Sequence, residues 1–123
     1  MKDSIHKYFQ IGTIQWMSYP RREILDSLRT IASDDFFDAV EICGFVSEAQ
    51  RIQAKKILDQ SHLKVCFAAQ PVLLNSKLNP NDLNEEKRLQ AEDLLLKAVD
   101  EADFFGADGI LFLAGKWDAS SRD

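Results

Sequence analysis

The stretch that decides the fold is FFDAVEICG, residues 36–44. Between Phe37 and Cys43 apolar and polar side chains alternate, and Gly44 closes the run, which is the pattern of a β-strand with two unlike faces. Successive side chains of a strand point to opposite sides. Val40 and Ile42 therefore face covering helices, and Glu41 faces the other way. A carboxylate on an enclosed face costs on the order of several kcal/mol unless it is paired or hydrogen-bonded. Glu41 is accordingly the sharpest candidate for a ligand contact; the structural alternative is an ion pair to a neighbouring strand through Lys64 or Lys116.

Working outward, three further strand-like runs flank this one: FQIGTIQWM at 9–17, LKVCFAA at 63–69 and GILFLA at 109–114. Helical patterns separate them. Ser18, Tyr19 and Pro20 open the first, with Pro20 suited to a first turn, where its missing N–H does no harm. Ile24, Leu25, Leu28 and Ile31 then make one apolar stripe to about Ala32. Ser47 opens the second helix, and Gln50 completes a capping-box spacing; its weaker stripe rests on Ile52, Ile57 and Leu58. Asn84 caps a third helix from Glu85 to about Phe105. There Leu89, Leu96 and Val99, with Leu94, Leu95, Ala98 and Ala102, predict a broad buried face. Gly106 suits the left-handed position just past its end. After Gln70-Pro71, residues 72–84 read as a loop longer than the usual βα connection, in the place where a lid or substrate wall would sit.

Strand–helix alternation predicts an α/β protein with a parallel sheet, here about four strands and three helices. An eight-unit barrel needs about 250 residues, and this chain has 123. The expectation is a half-barrel, with residues 1–123 as the amino-terminal half of a larger domain.

Composition narrows the function. The net charge of −5 and pI of about 5.0 give no electrostatic footprint for nucleic acid or an anionic membrane. No apolar run approaches the roughly 20 residues that span a bilayer, and Lys2, Asp3, His6 and Lys7 break any leader-like stretch, so the expected location is cytoplasmic. Cys43 and Cys66 read as buried reduced thiols. No glycine-rich phosphate loop, metal-ligand spacing of Cys or His, or GxSxG elbow occurs. The sequence therefore leaves catalytic residues unassigned and names no metal ligand.

Ligands of parallel α/β proteins meet the loops at the carboxyl ends of the strands. That rule nominates Gln15, Trp16, Glu41, Gln70, Lys116 and Trp117. Trp16 could stack on a sugar ring or plug the barrel top, and Lys116 could pair with an anionic group or lie solvated. His6 and His62 precede the first and third strands, on the opposite face, where residues serve stability.

IGTIQWM, FFDAVEICG and NEEKRLQAEDLLLKAVDEADFFGADGILFLAG together resemble the amino-terminal half of the xylose-isomerase-like TIM barrels, the sugar phosphate isomerase/epimerase superfamily. The order of the elements carries the likeness across nearly the whole chain. The resemblance implies an eight-stranded barrel and a sugar or sugar phosphate substrate of carbohydrate metabolism. It also implies isomerisation or epimerisation by proton transfer beside a carbonyl, aided by Mn²⁺, Mg²⁺ or Co²⁺. The family's metal ligands come from later strands, outside this chain. Glu41 matches the second-strand glutamate and carries over as a substrate or structural contact. Where many relatives end the fourth strand with a histidine, this chain has Ala114-Gly115-Lys116. Two other classes stand beside the enzyme. A non-catalytic half-barrel would act by assembly or ligand binding, as a homodimer closed through its open edges. A doubly wound receiver-like module fits less well, because Gln15-Trp16 and Gln70 stand where it would place acids.

Overall fold

The computed structural model describes residues 4–115. Four strands form one all-parallel sheet in the order β1-β2-β3-β4: β1 Gly12–Ile14, β2 Ala39–Ile42, β3 Lys64–Ala68 and β4 Gly109–Leu111. Three long helices cross between them: α2 Ile24–Ser33, α3 Glu48–Asp59 and α5 Glu85–Phe104. Two short ones, α1 Gln15–Ser18 and α4 Gln70–Ser76, follow β1 and β3 directly. The expected four strands and three long helices are present; the two short helices are additions. Because each crossover steps one strand in the same direction, the helices gather on one side of the sheet. The result is α/β, with the parallel β/α units of a half-barrel.

The alternation in β2 determines which side that is. Val40 and Ile42 are fully buried, and they pack with Val65 and Phe67 of β3 against Leu25, Leu28 and Ile31 of α2, Ala54 and Leu58 of α3, and Ala98 and Ala102 of α5. Each large apolar side chain buried here contributes roughly 1.5–3 kcal/mol. Phe105 closes the core, its ring 5.4 Å from Phe45, 6.3 Å from Phe67 and 5.0 Å from Phe104.

Helix ends follow local chemistry. The Asn84 side chain accepts from Lys87 N–H at 3.1 Å, and the Ser47 hydroxyl from Gln50 N–H at 3.2 Å. Only half of the expected capping box forms, since the Gln50 amide turns to Glu23 instead. At the far end of α5, Gly106 has φ +63°. Gly106 N–H reaches Asp103 O and Ala107 N–H reaches Ala102 O, both at 2.9 Å, which is the paired closure that favours glycine here.

Several expectations need correction. The first strand is only Gly12–Ile14, because the Ser18 hydroxyl donates back to Ile14 O at 2.8 Å and the chain turns helical at Gln15. Pro20 does not start a long helix: residues 19–22 form a turn, and α2 begins at Ile24, capped by the Glu23 carboxylate at Leu25 and Asp26 N–H. The first part of the presumed lid loop, residues 72–76, belongs to α4, with Pro71 in its first turn. The broad buried face of α5 shrinks to a line through Ala91, Ala98 and Ala102, while Leu89, Leu96 and Val99 stand exposed. Ile52, placed in the α3 stripe by the sequence, is also exposed.

Candidate functional site

Among the described residues no layer of helices covers the other face of the sheet. Strand register sets its side chains in rows: Gly12, Ala39 and Lys64 at one end, then Ile14, Glu41, Cys66 and Gly109, then Leu111 beside Ala68. Glu41 lies in the middle row, in register with Ile14 on one side and Cys66 on the other. Its Oε1 is buried and has no hydrogen-bond partner among the described residues. Burial pushes its carboxyl above the ordinary carboxylate range. The ion pair to Lys64 is absent. Lys64 pairs in register with Ala39, one row below, and its side chain is solvent-exposed.

Two thiols border this carboxylate. Burial raises Cys66, and the nearby Glu41 charge raises it further; Cys43, which follows β2, is raised by burial first and by Glu41 last. Both are free and partly buried, and so held protonated rather than nucleophilic. The sequence marked them as buried thiols but not as neighbours of Glu41. Strand register, read from the alternation, was the signal that could have joined them.

The other nominated residues divide. Gln15 is buried in α1 with its amide turned into the helix layer, donating to Ser27 Oγ at 2.5 Å and to Ile24 O at 3.4 Å. That placement ties the end of β1 to α2. Trp16 is half-buried in the same turn, and Gln70 is half-buried as the first residue of α4. Lys116 and Trp117 lie outside the described residues. His6 and His62 hydrogen-bond the adjacent carbonyls of Phe36 and Phe37, at 2.7 and 2.8 Å, and so tether the turn before β2 from two sides. This is the stabilising role that their position implied.

A cavity of about 470 Å³ opens at the carboxyl ends of β2 and β3, where α4 folds back. Its floor is apolar, with Phe45, Phe67 and Ala98, and Asn75, Lys97 and Glu101 stand at its polar rim. Sequence reading missed it along with α4; the Pro71-Val72-Leu73-Leu74 run after β3 was the available sign. Among the described residues no three His, Cys, Asp or Glu side chains come together in a way that could hold a metal ion. No described helix is long and apolar enough to cross a membrane.

Comparison with known proteins adds little. No family model matches the chain, and no solved structure matches it. DNA polymerase III subunit alpha of Borreliella burgdorferi is 23% identical over 106 residues. That match takes in 84% of this chain but spans only 9% of the polymerase subunit.

Proposed function

We propose that this chain supplies the first four β/α units of a cytoplasmic sugar or sugar phosphate isomerase or epimerase, with Glu41 contacting the substrate. The observation that carries the reading is the buried, unpartnered Oε1 of Glu41 on the uncovered side of a parallel sheet. A sugar hydroxyl answers that defect directly. It can donate to the carboxylate or, since burial favours the protonated form, accept from the carboxylic acid. Ile14 and Cys66 beside it offer an apolar lining for a sugar's C–H edges. Glu41 is placed as a binding and orienting group; the proton-transfer groups belong to other parts of the full protein.

The resemblance also implies a divalent cation. The described residues do not fit one, because they bring no three donors together. Its ligands would lie elsewhere in a longer chain, and no step here runs through it. The acidic net charge of −5 supports a small-molecule substrate over nucleic acid.

The test is deuterium exchange. The full-length protein, with Mn²⁺ added, is incubated in D₂O with ketose and aldose phosphates, and loss of the proton beside the carbonyl is followed by NMR. Exchange is expected, with Glu41→Gln raising KM about 10-fold, the loss of one hydrogen bond to a charged group, and changing kcat less. Absence of exchange with every sugar tested overturns the assignment.

A further inference from the structure

We infer that the cavity at the carboxyl ends of β2 and β3 binds a small, neutral aromatic molecule carrying one hydrogen-bonding group. Phe67 at its floor belongs to the helix side of the sheet, where it is buried with Val65. Cys66 between them stands in register with Glu41, on the opposite side. The cavity is thus separate from the Glu41 row. It is also remote from the sheet edges, which are β1 and β4. Its walls come from the turn between β2 and α3, from α4 and from α5, so a unit added at either edge would leave them in place.

Small residues make the room. Ala68 and Ala98 are buried at the bottom, beside the rings of Phe45 and Phe67. Two helix lines border the opening. Val72 and Asn75 of α4 are three residues apart, and Leu94, Ala98 and Glu101 of α5 are four and three apart; such spacings share one side of a helix. Leu73 is buried and anchors α4, while Val72 beside it stays 38% exposed at the opening. The volume of about 470 Å³ falls in the range of roughly 300–1,000 Å³ typical of small-molecule sites, where apolar walls carry a few placed polar groups.

Chemistry selects the occupant. Phe45 and Phe67 offer ring surface to an aromatic ligand. The charges at the rim are already answered. The Glu101 carboxylate accepts from Arg51 at 2.9 and 3.0 Å, and Lys97 pairs with Asp93 at 2.6 Å. A charged ligand would lose hydration here and meet no unpaired counter-charge in the lining. Asn75 lines the same opening, and its amide makes no hydrogen bond among the described residues. It can both donate and accept, and so supplies the single polar contact.

The test is protection of thiols from alkylation. Cys43 lines the cavity, Cys66 stands in the Glu41 row, and both are free. The 123-residue chain is treated with iodoacetamide with and without indole, and each thiol is followed by peptide mass spectrometry. Indole at about 10 times its Kd should slow Cys43 about 10-fold and leave Cys66 unchanged. Indole-3-carboxylate and tryptamine should bind at least about 10-fold more weakly. Asn75→Ala should weaken indole about 3- to 10-fold and leave naphthalene, which has no N–H, unaffected. Val72→Trp, at an exposed wall position, should abolish protection while far-ultraviolet circular dichroism stays unchanged. Protection of neither thiol, equal protection of both, or tighter binding of a charged analogue overturns the inference. None of these outcomes depends on the isomerase assay.

Discussion

The two faces of the sheet are built from the same strands, often from adjacent residues, and they differ in almost every physical respect. On the helix side Val40, Ile42, Val65 and Phe67 are buried among α2, α3 and α5. On the other side Ile14, Glu41 and Cys66 are half-buried, Leu111 is half-exposed, and one carboxylate oxygen is buried without a partner. The first face is built almost wholly from apolar side chains, with Gln15 and Ser27 the buried polar pair at its edge. The second retains an unmet demand at the place where ligands of parallel α/β proteins meet the chain. On the proposed reading, stability and binding are separated by a single residue step along β2, and substitutions can address one without the other.

The largest effect should come from the covered face. Phe105→Ala removes the ring that Phe45, Phe67 and Phe104 surround, and should lower unfolding free energy by about 3–5 kcal/mol in urea titration. A loss below about 1 kcal/mol would mean that this core is not packed as described. Next comes the buried hydrogen bond between Gln15 and Ser27. Ser27→Ala leaves the Gln15 amide with only the long contact to Ile24 O, at a cost of roughly 1–3 kcal/mol; chemical denaturation measures it. Gly106→Ala forces a side chain into φ +63° and should cost about 1 kcal/mol, again by denaturation.

The uncovered face should respond in the opposite sense and more weakly. Glu41 has a folded-state pKa above its ordinary value, so between those two values the folded chain holds more protons than the unfolded one. Stability then falls as pH rises through that window and is lower above it. Glu41→Gln should remove that slope and raise Tm slightly at neutral pH, by about 1–2 °C for a chain of this size, in thermal melts from pH 4 to 8. An unchanged slope would place the carboxyl in open water. A stabilising substitution that also weakens substrate binding is the signature of a group retained for function rather than for folding.

How much of this could be read from the sequence also differs between regions. The alternation in FFDAVEICG placed Val40 and Ile42 under the helices and Glu41 away from them. Asn84 and Gly106 marked both ends of α5. These signals are local, and local chemistry decides them. The short helices α1 and α4 escaped notice because each is a single turn or two, nucleated by a serine back-bond or a proline rather than by a stripe. The leucines of α5 misled for a different reason. Periodicity reports that a helix has an apolar line, but not whether the described chain supplies anything to cover it; Ile52 on α3 makes the same point. Gln15 was drawn toward the candidate site by its position at the end of β1, but with Ile14 in the Glu41 row the alternation itself sends Gln15 to the helix side, where its amide meets Ser27.

The central claim is that the uncovered face holds a carboxyl poised for a ligand, and a carboxyl-carbon NMR titration of Glu41 in the 123-residue chain tests it most directly. With and without a ketose phosphate, the carboxyl should titrate above the exposed glutamates, and its signal should move when the sugar is added. Titration in the ordinary carboxylate range, with no response to sugar, would contradict the account.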